Sequence, residues 1–238
     1  MRPKSVFAVA VLFLILLASL TCFSQQTFIS RYDGYAGYTF LSTPSLNLFQ
    51  NGFNGEFGVN VKPWVALGGD FSVFNGSNTL LPNMFSNTVQ QQVGVALAEL
   101  AQQGLLPPGY TVRVPADSTI YTYEAGPQFN YRHFKAITLF VRPSLGALHE
   151  VATLKPTDPI TTGLVQALVG SSMKRSDTVV FYGVGGGADL NVSQHFGIRA
   201  AVDYAHYNVF SGLLNGDRNS VRFSVGPTFR FGENIVKK

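Results

Sequence analysis

The chain has 238 residues, enough for one large domain or two small ones, with 17 Lys and Arg against 13 Asp and Glu and a formal net charge of +4. No run of more than two basic residues occurs, so the sequence excludes a basic nucleic-acid-binding tract and we expect no nucleic-acid partner. The single cysteine excludes a disulfide framework, and no segment after residue 24 has the roughly 18 to 20 apolar residues of a membrane-spanning helix.

Residues 1–24 are predicted to be a secretory signal peptide. Arg2 and Lys4 precede a largely apolar run over 6–20, and small or polar residues follow that run. We place the cleavage after Ser24. Cleavage after Thr21 and lipidation of Cys22 are the alternatives.

Alternation of apolar and polar residues marks eight stretches of the remaining chain. In the clearest stretch Phe53, Phe57 and Val61 occupy odd-numbered positions, and Glu56 and Lys62 occupy even-numbered ones. We call these two alternating sets of positions the two parities of a strand. Period-2 alternation is typical of strands with one apolar face. In chain order we predict strands near residues 31–42, 53–62, 64–75, 119–132, 136–149, 178–191, 196–210 and 219–231.

The connections between these strands alternate in length. Short connections surround residues 63, 133–135 and 192–195, and long ones cover 43–52, 76–118, 150–177 and 211–218. Short periplasmic turns and long extracellular loops are typical of outer-membrane barrels. We therefore predict an all-β fold for residues 25–238: an eight-stranded antiparallel up-and-down transmembrane β-barrel. Its long extracellular loops would be 76–118 and 150–177, and its periplasmic tail 232–238.

Two of the long loops contain helical periodicity. In 86–103, apolar residues recur at helical spacing after Ser86, which can cap a helix start. In 161–169, Leu164, Val165, Leu168 and Val169 fall close together. We expect these short helices to pack on each other or on the barrel rim. The alternative is a surface that contacts a partner or lipid outside the cell.

Charged residues fall on the polar parity of nearly every strand. The acidic set is Asp33, Glu56, Asp70, Glu124, Asp189 and Asp203, and the basic set is Lys62, Arg132, Arg142, Arg199, Arg222 and Arg230. An eight-stranded barrel is filled by its own side chains, and unpaired buried charge is costly. We therefore predict a plugged polar lumen held by a structural charge network of Glu56, Asp70, Glu124, Arg142, Asp189, Arg199, Asp203, Arg222 and Arg230. The alternative is a narrow small-solute channel.

Aromatic residues on the apolar parity point to a lipid-facing outer surface. Tyr123 and Phe129 lie near the two ends of the fourth strand, and Trp64 and Phe134 lie at short turns. Such positions suit the aromatic girdles at the two membrane interfaces, so outer-membrane lipids are expected partners.

Motifs for catalysis, cofactors and metals are weak. The glycines of 183–188 resemble a dinucleotide loop, but alternation continues through Asp189, so they lie within a strand and no cofactor is expected. No histidine pair has metal-ligand spacing. Small barrels that deacylate lipid A use a membrane-facing His with a Ser two positions later, whereas here Asn208 follows His206. A lipid-modifying enzyme, with His206 or His149 beside Glu150 as the base, is the alternative to a non-enzymatic barrel.

The segment Phe181–Tyr204 resembles the family of small bacterial porin-like outer-membrane β-barrel proteins. In that family a Gly-rich strand ends in Asp, and the next strand carries Arg and then Asp-Tyr; the matching positions are Gly185, Gly187, Asp189, Arg199, Asp203 and Tyr204. The Gly-Pro-x-Phe pieces at Gly126–Phe129 and Gly226–Phe229 are similar to barrel proteins of Acidobacteria. The resemblance implies the outer membrane of a Gram-negative cell as the location.

The last predicted strand is similar to the signal read by the outer-membrane assembly machinery. It places Gly226 two residues after Ser224, and Phe229 and Phe231 three and five residues after the glycine. The chain continues past Phe231, whereas many such proteins end there. These features together predict an envelope barrel with a structural role or a surface-binding role carried by its loops, where an extracellular ligand would bind.

Overall fold

The computed structural model describes residues 26–216 and 218–236, so the predicted signal peptide with Cys22 lies outside the described residues. The described chain forms one closed barrel in which each strand pairs antiparallel with the next and the last pairs with the first. The strands are β1 Ser30–Thr43, β2 Leu48–Lys62, β3 Val65–Leu80, β4 Val114–Tyr131, β5 Ile137–Leu154, β6 Lys174–Asn191, β7 Phe196–Tyr207 and β8 Arg218–Asn234. This architecture confirms the predicted eight-stranded up-and-down barrel.

Two helices interrupt the long connections. Helix α1 (Asn87–Gln102) begins after Ser86, whose hydroxyl accepts a hydrogen bond from the backbone N–H of Val89. Helix α2 (Pro159–Val169) begins after Asp158, whose carboxylate accepts from the backbone N–H of Thr161 at 2.8 Å. Both starts use a side-chain oxygen to satisfy an otherwise unpaired N–H of the first turn. Of the helices in the described residues, none is long and apolar enough to cross a membrane.

The barrel has two unlike ends. Its turn end carries the three short connections after β2, β4 and β6 and both ends of the described chain, where Ser30 pairs with Asn234. Its loop end carries the other four connections, including both helices. β4, β5 and β6 each have 18 residues, well beyond the roughly 9 to 11 that a tilted strand needs to cross a bilayer. The sheet therefore projects past the membrane at the loop end.

Several predicted boundaries were wrong at the loop end because the two faces of the sheet exchange polarity there. Outward residues become polar, as in the hydrogen bond from Ser77 to Asp117, and inward ones become apolar, as in Val114 and Ala116. Strands β2 to β6 therefore continue into the predicted loops. The connection predicted at 43–52 shrinks to a 3-10 turn at Pro44–Leu46. Conversely, β7 ends at Tyr207 rather than residue 210. At the turn end, β8 continues beyond Phe231 to Asn234, into the predicted tail.

An apolar belt surrounds the barrel between its two ends. Its exposed members include Phe57, Leu67, Leu139, Val141, Leu145, Val184, Ile198, Val202, Val225 and Phe229. Aromatic clusters border the belt: Trp64 stacks on Phe129 toward the turn end, and Phe71 meets Tyr123 toward the loop end, with ring centroids 6.3 and 5.1 Å apart. A continuous apolar band between aromatic rims matches the hydrocarbon core of a bilayer between its interfaces.

The largest apolar core lies inside the loop end rather than at mid-barrel. Inward side chains of the strands, such as Phe74, Ile120 and Leu148, are between 1 and 2 % exposed and join one cluster with Val89 of α1 and Val165 of α2. Residues 208–214 add Val209, Phe210 and Leu214 to this cluster. The helices therefore pack on the barrel rim through a shared core. We call α1, α2 and residues 208–216 the cap.

Candidate functional site

All nine residues predicted for the lumen charge network point into the barrel, and they come from seven strands, β2 to β8. Asp33 on β1 adds the eighth strand through its contact with Arg230, at 3.8 Å. Each of the nine side chains is 10 % exposed or less. The network therefore includes a residue of every strand, and its contacts join each of the strands β2 to β8 across the barrel to a strand that is not its neighbour.

Arg222 on β8 forms the centre of the upper half of this network. Its guanidinium lies 3.0 Å from Asp70 on β3, 2.5 Å from Glu124 on β4 and 2.9 Å from Asp203 on β7. It also donates to the hydroxyl of Ser72 at 2.8 Å. Since β8 and β4 lie on opposite sides of an eight-stranded ring, this one side chain crosses the lumen.

Glu56 on β2 joins two further arginines. Arg142 on β5 lies 2.6 Å from one Glu56 oxygen and also makes two hydrogen bonds of 2.9 Å with Asp203. Arg199 on β7 pairs with the other Glu56 oxygen and with Asp189, at 2.7 Å. Such two-pronged guanidinium–carboxylate contacts fix both position and orientation.

The network is thinner toward the turn end. Arg230 reaches Asp189 at 3.3 Å, and Arg132 donates to the amide oxygen of Asn60 at 3.0 Å. Asn60 in turn donates to Asp33. The guanidinium of Arg132 thus has a neutral side-chain amide, rather than a carboxylate, as its partner.

Lys62, predicted to face inward, lies outside the barrel. The register of β2 and β3 shifts between Asn60 and Lys62, and a single-residue bulge moves the following side chains to the opposite face. The Lys62 ammonium sits over the Trp64 ring, 5.9 Å from its centroid. The predicted balance of six acidic and six basic groups is therefore wrong, because only five of the six predicted basic groups, all arginines, lie inside with the six carboxylates.

Two charged residues that the sequence did not single out for the lumen are buried above the network. Glu150 is 7 % exposed and accepts a hydrogen bond from Ser118 at 2.7 Å. Arg218 is 1 % exposed and donates to the backbone oxygen of Val209 at 3.2 Å, which fastens the cap to β8. Both lie on the inward parity beyond the predicted ends of their strands, so a longer strand assignment would have revealed them.

Glycines on β6 make room for the network. A Cβ atom at Gly185 would lie 1.8 Å from the carboxylate oxygen of Asp203, and one at Gly187 would lie 2.8 Å from the Phe140 ring. The Arg199 guanidinium packs over that ring, 4.6 Å from its centroid. Glycine at these positions therefore lets the ion pairs and the ring beneath them approach the β6 backbone.

Two small cavities lie among the charged groups. One of about 50 Å³ is lined by Asp33, Glu56, Asp70 and Arg142, among others. Another of about 30 Å³ lies at the boundary with the apolar core, next to Leu148. The side chains of the network therefore fill most of the space between them.

The histidines considered as bases face outward near the loop end. His206 Nδ1 lies 2.8 Å from the side-chain oxygen of Asn219. His149 Nδ1 lies 2.7 Å from the Thr178 hydroxyl, whereas Glu150 points into the barrel. The predicted His149–Glu150 pair is therefore wrong, because adjacent residues of a strand face opposite sides.

The cap contains its own polar junction outside the membrane. The Asp158 carboxylate accepts from the backbone N–H of Thr161 and from the Tyr110 hydroxyl, and these bonds lower the pKa of Asp158. Burial raises the pKa of the Tyr110 hydroxyl, and its bond to the Asp158 carboxylate adds to this effect. The junction joins the segment after α1 to the start of α2. Within residues 26–216 and 218–236, no group of His, Cys, Asp and Glu is arranged to hold a metal ion.

No protein-family model matches the chain, and no curated protein matches it in sequence. Among solved structures, neisserial surface protein A is 13 % identical, with a TM-score of 0.52 over 85 % of this chain and 98 % of that one. The chain has the fold of a small outer-membrane β-barrel. The attachment invasion locus protein Ail of Yersinia pestis is 16 % identical, with a TM-score of 0.48 over 86 % of this chain and all of that one. OprG from Pseudomonas aeruginosa is 10 % identical, with a TM-score of 0.47 over 87 % of this chain and 99 % of that one.

The outer surface agrees with this fold. A closed barrel leaves no backbone group unpaired at a sheet edge within the bilayer, and the exposed apolar belt of this one requires a lipid environment. The barrel is therefore an outer-membrane protein, as the resemblance implied. The finer similarity to barrels of Acidobacteria stays a prediction.

Proposed function

We propose that this protein is an envelope barrel with a plugged lumen that holds a folded cap outside the cell. The ion pairs of Arg222 are the main support for the proposal. Its guanidinium occupies the middle of the barrel and pairs with Asp70, Glu124 and Asp203. Above it, Phe74 and Ile120 fill the lumen with apolar side chains. An ion would have to displace both layers, so a small-solute channel is the weaker alternative.

The cap is suited to surface binding because the barrel holds it in place. The buried side of α1 packs through Val89 and Val93 into the core, and the opposite side exposes Gln92, Val95 and Glu99 to solvent. A helix with one face fixed and the other exposed presents a rigid surface. We propose that an extracellular ligand binds there, and that the turn end faces the periplasm.

Cysteine labelling on intact cells tests this orientation. Glu99→Cys places a thiol on the exposed side of α1, and the matched variant Gln194→Cys places one in the turn between β6 and β7. With a maleimide that does not cross membranes, we expect the first variant to be labelled on intact cells and the second only after the cells are broken. The parent protein, in which no cysteine follows residue 24, gives the background.

The reverse labelling pattern would overturn the proposed display role. Equal labelling of the two variants on intact cells would also overturn it, provided that a periplasmic marker protein stays unlabelled. Labelling does not depend on the identity of the ligand, so this result can be obtained before any partner is known.

We further propose that the assembly machinery reads β8 during biogenesis. Phe231, the last residue of the signal-like pattern, stacks on Tyr32 of β1 with ring centroids 5.5 Å apart, so it also closes the barrel. Phe231→Leu keeps the apolar character and removes the ring. We expect a lower yield of folded barrel in cells, while the purified variant refolds in detergent as the parent does. Equal yield in cells would contradict this role.

A lipid-modifying enzyme is the second candidate, favoured by one contact. The 2.7 Å distance between His149 and the Thr178 hydroxyl is that of a base and the nucleophile it activates, and both side chains face outward. Mass spectra of lipid A from cells with the protein, with Thr178→Val and without the protein test this candidate. A wild-type-specific change that Thr178→Val abolishes would support it, whereas identical spectra would remove it. Thr119→Val, on the neighbouring β4, is the control.

A further inference from the structure

The cap encloses an apolar cavity of about 50 Å³ where it meets the barrel. Its walls come from α1 through Val93, from α2 through Val165 and Leu168, and from residues 208–214 through Phe210. Ala152 of β5 belongs to the strand side of the wall. This cavity is separate from the exposed side of α1 proposed above as a binding surface.

The cavity suits hydrocarbon rather than water. No polar atom contributes to its surface, and cavities of this kind stay dry and accept apolar molecules. Its volume matches a few carbon atoms, as in a short alkyl chain. Along β4, Val114 lines the cavity, Ile120 lies below it, and Glu124 of the charge network lies lower still. Because Ile120 is only 1 % exposed, the cavity is a closed end rather than part of a passage through the barrel.

The barrel wall is incomplete beside this cavity. Pairing between β6 and β7 stops at Tyr182 and His206, whereas β6 continues to Lys174. Beyond that point β6 pairs with β5 alone, and residues 208–214 lie where β7 would otherwise continue. The side chain of Phe210 belongs to this segment and lines the cavity. The backbone N–H of Phe210 donates to the Asp177 carboxylate of β6 at 2.7 Å across this gap. A lateral entrance therefore requires that hydrogen bond to open, but it breaks no strand pair.

A cationic group lies at the edge of the cavity on this side. Arg175 lies opposite Ala152 in the sheet and is the charged member of the cavity lining. Its side chain is exposed, and it makes no ion pair with any residue in the described part of the chain. Guanidinium groups bind carboxylates through two parallel hydrogen bonds. An apolar pocket beside a free guanidinium has the chemistry that a fatty acid requires.

We propose that the cavity under the cap binds the alkyl chain of a short-chain fatty acid, and that Arg175 holds its carboxylate. The chain enters between β6 and residues 208–214, and the apolar side chains of the cap close around it. The site lies above the membrane belt, so it takes a free amphiphile rather than a lipid within the bilayer.

Binding of radiolabelled hexanoate to the whole barrel in phosphatidylcholine nanodiscs tests the proposal, with empty nanodiscs as the background. We expect saturable binding of one hexanoate per barrel. Val165→Phe and Ala152→Leu each fill the cavity from a different element, and we expect each to reduce the affinity at least about tenfold. A shift in gel mobility on boiling shows which of the two variants keeps the barrel folded. One folded variant is enough to test whether the cavity is the binding site.

Two further variants test the role of the charge. Arg175→Gln should weaken hexanoate binding about tenfold, the size of effect expected for one charge-assisted contact, and should leave hexanol binding unchanged. Lys174→Gln removes the adjacent charge on the opposite face of β6, and we expect it to bind hexanoate as the parent does. Binding no greater than to empty nanodiscs, or undiminished binding to a folded cavity-filling variant, would overturn the proposal. Equal weakening by Arg175→Gln and Lys174→Gln would overturn the assignment of Arg175.

Discussion

Asp70 and Glu124 lie directly opposite each other on β3 and β4, and both bind the guanidinium of Arg222. Two carboxylates in facing positions of neighbouring strands repel each other. Here the repulsion is offset by a cation that originates on the far side of the barrel. The pairing of β3 with β4 therefore depends on Arg222, whose side chain crosses the lumen. The stability of the barrel wall is thus coupled to the ion pairs inside it.

Replacing Arg222 is expected to destabilise the barrel strongly. Arg222→Met keeps most of the side-chain volume but leaves Asp70, Glu124 and Asp203 without this partner, and breaking a buried ion pair costs about 3–5 kcal/mol. Urea unfolding in detergent, followed by the fluorescence of Trp64, measures the loss. Arg31→Met removes an exposed ion pair with Glu233 and should cost no more than about 1 kcal/mol. Similar losses in the two variants would contradict the central role of Arg222.

A methyl group at Gly185 of β6 is expected to disturb the same network through Asp203, its partner on β7. The new Cβ would overlap Asp203, which binds both Arg142 and Arg222, so we expect Gly185→Ala to cost about 1–3 kcal/mol in the free energy of unfolding. Gly34→Ala is the matched control, since its Cβ would meet neighbours no nearer than 3.9 Å. Its effect should stay within about 0.5 kcal/mol. A Gly185→Ala barrel as stable as the Gly34→Ala barrel would show that Asp203 has room to move.

Helix α2 is expected to loosen at acidic pH. Hydrogen bonds from Thr161 and Tyr110 lower the pKa of Asp158, so its contribution to stability is complete above the ordinary aspartate pKa of about 3.9 and is lost as pH falls through the lower folded-state value. Protection factors from hydrogen exchange of the α2 amides should therefore drop over this acidic range. Those of α1, capped by the non-titrating Ser86, serve as the internal reference.

Asp158→Asn separates titration from other acid effects on the cap. Asparagine caps a helix about as well as aspartate but does not titrate in this range. We expect α2 of this variant to keep the same protection as pH falls. An equal drop in the variant and the parent would assign the effect to another group.

The eight strands could be predicted because each one keeps a period of two residues where it crosses the membrane. Their full lengths could not, because beyond the membrane the outward residues become polar and the inward ones apolar, as Asp117 and Val114 show. The two-residue period continues where the two faces exchange polarity. The apolar residues change parity at that point, so a prediction that follows apolar residues on one parity ends the strand too early. Glu150 was placed at the edge of a loop for the same reason.

The inward direction of most charges could be predicted, but their partners could not. Parity fixes the face of a side chain, whereas the partner depends on register and on which strands lie opposite in the closed ring. Arg222 and Glu124, for example, are 98 residues apart in the chain. Lys62 shows how parity fails, since one bulge beside Asn60 moves it to the outside. The Thr178 partner of His149 was missed because it belongs to a different strand.

Planar-bilayer conductance of the purified, folded barrel tests the plugged lumen most directly. The folded fraction is established beforehand by its shift in gel mobility on boiling. The contacts of Arg222, Arg142 and Arg199 across the interior predict a flat current trace under applied voltage. Reproducible discrete current steps from the folded barrel would show a continuous ion path and contradict the plugged lumen.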